Sequence, residues 1–255
     1  MAVDVNKNSY TFLFATVMVV VVGVSLAVAA ISLKPRQDKN VEVEKKQDIL
    51  STIGFKKSET KPAEAEALFE QYITQKLVVL ADGSVNTEAD AFNIDMAVEL
   101  KKNRADMMFP LYIASKDNNT FYIVPLRGKG LWGPIWGYIA LKEDLNTIYG
   151  ASFDHKTETP GLGADINKEF FMSRFNEKTI YEGDQFVSIQ VVKSGASGNH
   201  QVDGISGGTI TSVGVQDMLQ ECISFYLPYF EKVKAAPTVV DATPADEVAQ
   251  GEIVE

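Results

Sequence analysis

The feature that most constrains this chain is a stretch without a charged residue, from Asn8 to Leu33. Its centre consists almost wholly of valine, alanine, leucine, phenylalanine, methionine and isoleucine. Because about 20 apolar residues in a helix cross the hydrocarbon core of a bilayer, this stretch is long enough to span a membrane. Tyr10 lies where an interfacial aromatic anchor is expected, and Lys34 and Arg36 close the other end. The sequence therefore predicts a short segment over 1–9 and a single transmembrane helix over 10–33, held in a lipid bilayer.

A cleaved signal peptide is the alternative interpretation, since residues 27–29 have the A-x-A form of a cleavage site. The apolar stretch is longer than the usual signal-peptide core of about 7–15 residues. The segment before it also lacks the positive charge of a signal peptide, since its one basic residue, Lys7, is balanced by Asp4. We therefore favour a retained span. Charge leaves its orientation open: basic residues after the span would keep the large domain in the cytoplasm, but long domains translocate regardless of such charges.

The composition excludes several functional classes. A formal net charge of −10 argues against nucleic-acid binding, which needs a basic surface. The single cysteine, Cys222, excludes an intrachain disulfide and any iron–sulfur cluster held by this chain alone, and its apolar helical surroundings favour buried packing over reactivity. Two histidines, His155 and His200, are too few for a typical zinc site, so we expect no metal.

Hydrophobic periodicity and turn residues predict an α+β fold behind the span. We expect four helices, over 41–53 (a stalk), 62–73, 168–175 and 212–225. Pro228 is expected to stop the last of them. We expect six strands, over 77–80, 111–114, 121–126, 137–141, 148–153 and 186–192. Asp82-Gly83 indicates a turn, and 117–119 indicates a hairpin.

Residues 128–133 fit the pattern G-x-G-x-x-G of dinucleotide-binding loops. That fingerprint must open a helix, whose N-terminus receives the pyrophosphate. Here Pro134 and a strand-like stretch, 138–141, follow instead. We therefore interpret the glycines as a turn between neighbouring strands, with Trp132 as a buried or face-covering ring.

The segment with the strongest chemical signal is 203–212, in which hydroxyl residues alternate with glycines directly before a predicted helix. Glycine lets a bulky anion approach the backbone, and a helix N-terminus offers unpaired N–H groups and a partial positive charge. A phosphate on Thr209 would therefore meet donors. The alternative is simple capping, with Thr211 or Ser212 as an N-cap hydroxyl.

A second glycine loop, 158–163, follows His155. Its Pro160-Gly161 pair could present Thr159 and Leu162 to the edge and face of a flat ring. The same pair also fits an ordinary type II turn, with proline at the second position and glycine at the third. The loop alone does not separate the two interpretations.

Taken together, the stretches 130–138, 158–163 and 203–211 resemble one family. With the N-terminal span, they are similar to the C subunits of bacterial sodium-translocating NADH:quinone reductases. The flavin-binding domain of that family is shared with the G subunits of Rnf electron-transport complexes. The resemblance covers the span and about residues 110–228.

The resemblance implies that a dedicated flavin transferase takes FMN from FAD and joins its phosphate to Thr209 as a phosphoester. Gly208 stands where the family usually has alanine, which keeps the site small. Around the threonine, Ser206, Gly207 and the following N–H groups would hold the phosphate, while Thr159 and Leu162 would lie against the isoalloxazine. The remaining residues assigned to this cofactor site are Gly161, Gly208, Thr211 and Trp132.

The resemblance also implies a division of the chain and a role. It implies a covalent FMN-binding domain over 110–232, which leaves a stalk with the N-terminal part of the soluble domain over 34–109. The acidic, alanine-rich composition after the FMN-binding domain predicts a disordered acidic tail over 233–255. The chain would have no catalytic acid or base, and would pass electrons between other subunits on the way from NADH to quinone. It would lie in the bacterial inner membrane with the FMN domain on the periplasmic side.

Two alternatives remain open at this point. The G subunit of an Rnf complex is also flavinylated, although the Gly-Leu-Trp-Gly element at 130–133 and the long segment before the domain favour the quinone reductase. A membrane-tethered module that binds a phosphorylated ligand reversibly would need the same glycine loops.

Overall fold

The computed structural model describes residues 7–235. The prediction of a disordered tail over 233–255 therefore lies outside the described residues, except that 233–235 belong to a helix. Within the described range, a long N-terminal helix leads into a domain built on a six-stranded antiparallel sheet with helices on both faces. The predicted α+β class with one N-terminal apolar helix is confirmed.

The first helix, α1, runs without interruption over Asn8–Ser51 and joins the predicted span to the predicted stalk. Within the described residues, α1 is the single helix long and apolar enough to cross a membrane, and its most apolar window has no residue buried inside the molecule. Pro35 lies inside α1 and cannot donate a helical hydrogen bond to the carbonyl of Ile31. Burial begins at Lys46, where the helix reaches the domain.

The second helix, α2 (Pro62–Tyr72), begins with a proline at its first turn, as predicted, since the missing N–H has no helical partner there. Strand β1 (Ile73–Leu80) follows directly and contains the predicted strand 77–80. A turn with Gly83 at φ +76° leads back into β2 (Val85–Asn86). Short 3₁₀ helices, Ala91–Asn93 and Arg104–Asp106, flank helix α3 (Met96–Glu99).

Four long strands follow, and each contains one of the predicted strands: β3 (Met108–Lys116), β4 (Asn119–Lys129), β5 (Pro134–Leu141) and β6 (Ile148–His155). The sheet order is β2-β1-β3-β4-β5-β6. Asp117 and Asn118 both have positive φ, as a two-residue hairpin turn requires, so the predicted hairpin is confirmed. A glycine turn joins β4 to β5, where the N–H of Gly130 donates to the carbonyl of Gly133 at 2.8 Å. Strand, turn and strand exclude a dinucleotide fingerprint here.

The C-terminal part differs from the prediction in several places. The helix expected over 168–175 is a short α4 (Glu169–Met172) continued by a 3₁₀ turn, Ser173–Phe175. The strand expected over 186–192 breaks at Ser188, whose φ is +58°. Its first part, β8 (Gln185–Phe186), pairs with β7 (Tyr181–Glu182), and its second part, β9 (Gln190–Val192), pairs in parallel with β10 (Gln201–Asp203).

The last predicted helix is present as α5, but it covers Thr209–Ser224 and so begins three residues before the predicted Ser212. Pro228 does not end the helical structure, because a further helix, α6 (Leu227–Ala235), includes it in its first turn. Proline is compatible with that position because the first N–H groups of a helix have no helical acceptor.

Alternate residues along the strands enter two separate cores. On the first side, here the α1 face, the end of α1 and α2 pack Leu50 and Phe69 on residues such as Tyr112. On the second side, the α5 face, helices α5 and α6 pack Leu219 and Phe230 on the sheet. The glycine turn between β4 and β5 and the start of α5 lie at one edge of the α5 face, since Gly214 packs against Lys129 and Gly130.

Candidate functional site

Thr209 is the first residue of α5 and is exposed. The N-cap position is Gly208, which supplies no side-chain cap, and Gly207 before it has φ +75°. Among the described residues, the N–H groups of 209–211 donate to no backbone carbonyl. The hydroxyl of Thr209 therefore stands at a helix N-terminus with free donors, where a bound anion is stabilised.

Thr211 and Ser212, the alternative capping residues, serve other purposes. The Thr211 hydroxyl donates to Oε2 of Glu158 at 2.6 Å, and the Ser212 hydroxyl accepts from the N–H of Ile205 at 3.0 Å. Both residues are at most 2% exposed. The capping interpretation of these two hydroxyls is wrong, since neither bonds to a free N–H of the first turn. The assignment of Thr211 to the cofactor site stays a prediction.

The loop at 158–163 forms the expected type II turn. The N–H of Leu162 donates to the carbonyl of Thr159 at 3.1 Å, and Gly161 has φ +76°. Thr159, Gly161 and Leu162 are exposed. A methyl group on Gly207 would lie 2.6 Å from Cδ2 of Leu162, and one on Gly208 would lie 3.1 Å from the backbone N of Gly163, so the turn and the segment before α5 approach closely at these two glycines. The structure therefore brings these two predicted loops together.

The site has three walls: the start of α5, the Pro-Gly turn at 159–162 and the tip of the β4–β5 turn. The tip of the β4–β5 turn is the third of these. Trp132 is 66% exposed, so of the two expected placements, a buried or a face-covering ring, the buried one is excluded and the other stays a prediction. The backbone N–H of Trp132 donates to Oε1 of Glu158 at 2.7 Å, and its backbone carbonyl accepts from the Thr157 hydroxyl at 3.1 Å. The backbone of Trp132 is thus fixed while its indole is available for contact.

Sequence reasoning missed Glu158 as a member of the site. Its side chain is 5% exposed, and its two oxygens accept from two different segments of the chain. The glycines around it leave room, since a methyl group on Gly130 would lie 2.5 Å from Oε1. An acidic residue beside a Pro-Gly turn has no distinguishing pattern, so the sequence offered no signal for this contact.

Arg174 is a second residue that sequence reasoning missed. Its guanidinium donates to the carbonyls of Asp203, at 2.5 Å, and of Gly204, at 3.0 Å. These carbonyls open the segment that leads to Thr209, so Arg174 ties the end of β10 to the 3₁₀ turn at 173–175. The guanidinium also lies 5.4 Å from the ring centre of Phe170.

Large apolar side chains are exposed on the start of α5 and on the two turns joined to it through Glu158. Ile210 is 59% exposed and follows Thr209 directly, and Leu162 faces Gly207. The further exposed members are Leu131, Trp132 and Val213. Apolar side chains beside a helix N-terminus suit a ligand that combines an anion with a flat hydrophobic ring.

The other candidate groups lie apart from this site. Cys222 is fully buried, and burial raises the pKa of its thiol to about 12, which agrees with the expected packing role. No cluster of potential metal ligands occurs in the described part of the chain. A cleft of about 870 Å³ lies on the α1 face, and none of the predicted site residues lines it.

Comparison with known proteins agrees with this geometry. A family model described as an FMN-binding domain matches residues 130–224, which include all three walls and Thr209. The residues present fit FMN, because an exposed hydroxyl, free N–H groups, close glycine turns and exposed apolar side chains are combined at one edge.

Several relatives are similar over most of the chain. The C subunit of the Na(+)-translocating NADH-quinone reductase of Pseudomonas aeruginosa is 32% identical over 74% of this chain and 81% of its own length. Its counterpart from Vibrio alginolyticus is 32% identical over 73% of this chain and 78% of its own.

Two crystal structures are similar in fold. The C subunit of the Na(+)-translocating NADH-quinone reductase from Parabacteroides distasonis has 40% sequence identity and a TM-score of 0.72, covering 78% of this chain and 96% of that one. NqrC of Shewanella oneidensis has 26% identity and a TM-score of 0.63, covering 76% of this chain and 98% of that one. This chain belongs to the family of the C subunits of Na(+)-translocating NADH-quinone reductases, components of an oxidoreductase complex.

Proposed function

We propose that the chain carries FMN covalently on Thr209, through a threonine phosphoester, and relays electrons within a membrane NADH:quinone reductase. The observation that supports this most directly is the contrast between two neighbouring hydroxyls. Thr209 is exposed and makes no side-chain hydrogen bond in the described structure, whereas Thr211 is buried and bonded to Glu158. Thr209 can therefore meet a transferase active site, and Thr211 cannot.

The attachment reaction has a simple balance. The Thr209 hydroxyl attacks the phosphorus of FAD on its riboflavin side, a new O–P bond forms, and the pyrophosphate bond breaks with AMP as the leaving group. The hydroxyl proton passes to a base of the transferase. The free N–H groups of 209–211 would then face the phosphodiester anion at the positive end of α5.

In the relay, FMN supplies reversible electron transfer, and this chain supplies attachment and orientation. The turn at Thr159–Leu162, the Trp132 indole and Ile210 would offer surfaces for the ring, while Ser206 and Gly207 would hold the phosphate. We assign no catalytic acid or base to the chain. Electrons would come from one partner protein of the complex and leave to another.

The same proposal includes the placement of the chain in the cell. The apolar part of α1 would cross the bacterial inner membrane, and the domain would lie on the periplasmic side, where the flavin transferase would modify it. The exposed apolar surface of α1 supports a lipid environment. The relatives are subunits of a sodium-translocating reductase, which favours this role over one in an Rnf complex.

Mass spectrometry tests the attachment site. Coexpressed with its transferase, the chain is expected to gain the mass of one FMN less one water, and Thr209→Ala is expected to lose all of it. Ser197→Ala, which removes an exposed hydroxyl outside the site, is the control and should keep the adduct. An adduct that survives in Thr209→Ala would overturn the assignment. Flavin that leaves the wild-type chain on a denaturing gel would favour the reversible binding module.

Thiol labelling in intact cells tests the topology. The native Cys222 is buried and is the one cysteine of the chain, so it should remain unlabelled. A cysteine introduced at exposed Lys101 should react with a maleimide that passes the outer membrane but not the inner one. Labelling that appears only after the inner membrane is broken would place the domain in the cytoplasm.

A further inference from the structure

We propose that Glu158 is a positioning residue, which holds the three walls of the site in register so that Thr209 is presented for flavin attachment. This inference rests on the proposed function of Thr209. Glu158 does not touch the reacting hydroxyl; it acts through Thr211, in the same first turn of α5.

The two carboxylate oxygens join segments that are distant in sequence. Oε1 accepts the N–H of Trp132, 26 residues earlier, and Oε2 accepts the hydroxyl of Thr211, 53 residues later. Glu158 itself opens the Pro-Gly turn. One side chain therefore fixes the tip of β4–β5, the turn and the start of α5 relative to one another.

The chemistry of this contact is unusual for a residue that only fills space. Glu158 as a whole is 5% exposed, and within residues 7–235 its carboxylate forms no ion pair. A buried carboxylate without a cation has a large desolvation cost, which an apolar side chain of similar size would avoid. Glycines at 130 and 163 leave the space it occupies, and a methyl group on Gly163 would meet both Oε2 and the Thr211 hydroxyl.

The geometry explains how Glu158 affects Thr209. Thr211 is two residues after Thr209, so a shift of the bonded hydroxyl moves the whole turn that carries the attachment point. A misplacement of about 1 Å can slow a positioned reaction by roughly 100-fold. Glu158 also fixes the turn that presents Leu162 against Gly207.

Three variants of the full chain, incubated with transferase and FAD, test this role. Glu158→Ala is expected to slow attachment roughly tenfold or more at saturating FAD. Glu158→Gln should restore a rate close to wild type, because its carbonyl can accept from Trp132 while its amide donates to the Thr211 oxygen. The matched control is Glu99→Ala: Glu99 is also 5% exposed and accepts the N–H of Met108, away from the site, so its loss should lower the melting temperature but not the rate.

Thr211→Val provides a test that does not depend on Glu158→Ala being stable. It should slow attachment in the wild type and have little further effect in Glu158→Ala, since the two residues share one hydrogen bond. Equal effects in both backgrounds, a normal rate in folded Glu158→Ala, or an equal loss in Glu99→Ala would each overturn the proposal. If Thr209→Ala keeps the flavin, the proposed function itself fails, which is a different result.

Discussion

The two faces of the sheet are both closed by helices, but they differ in what they leave at the surface. The α1 face holds two ionisable groups, the partly buried Lys45 and the buried Asp48, whose pKa values are shifted, mainly by desolvation, to about 8 and about 6. The α5 face leaves exposed a neutral hydroxyl, free N–H groups and apolar side chains at the start of α5. Perturbed titration often indicates a functional site. In this molecule the perturbed groups of the α5 face are packed in its core, as Cys222 is, and none is at the start of α5. The proposed attachment needs an accessible hydroxyl there and not a tuned acid.

The largest effect that we expect from a substitution on either face is a loss of folding stability on the α1 face. Phe69 is fully buried against Tyr112 and Phe92, so Phe69→Ala should lower the free energy of unfolding by about 3–5 kcal/mol. The fraction that remains folded should still accept flavin at the wild-type rate, as measured by in-gel fluorescence beside a chemical denaturation curve. Slow attachment in fully folded Phe69→Ala would show that the two faces are coupled.

A smaller effect is expected from glycines at close approaches on each face. Gly163→Ala would press on Glu158 and Thr211, and should lower stability by about 1–3 kcal/mol and slow flavin attachment. Gly150→Ala is its match on the α1 face, where a methyl group would meet the carbonyl of Thr52. It should lower stability similarly but leave attachment unchanged. Equal attachment rates in the two variants would contradict the separation of the faces.

The smallest effect concerns pH. Burial is the main reason that the pKa of Lys45 is lowered from 10.5 to about 8. Between these values the unfolded chain binds more protons than the folded one, so the contribution of Lys45 to stability rises as the pH goes from about 8 to about 10.5. The melting temperature of the wild type, relative to Lys45→Met, should therefore increase by a few degrees over this range. A difference that stays constant or falls would contradict a desolvated ammonium.

Most of the sheet and the position of Thr209 could be predicted, because both depend on local signals. Short apolar runs separated by turn residues mark β3 to β6, and the glycines before α5 mark a helix start. The two hydrogen bonds of the Glu158 carboxylate could not be predicted, since its partners are 26 and 53 residues away and only the folded sheet brings them together. The break at Ser188 was missed for a similar reason: its positive φ is set by the pairing of β8 and β9 with different strands.

The unbroken course of α1 has a mechanical consequence. Between Leu33, where the apolar run ends, and Lys46, where the helix enters the domain, about 13 residues rise by about 20 Å. Such a helix determines both the distance of the domain from the apolar part of α1 and its rotation about the helix axis, since each added residue lifts the domain by about 1.5 Å and turns it by about 100°. The direction in which Thr209 points, relative to the membrane, therefore depends on the number of residues in this rod as well as on the fold above it.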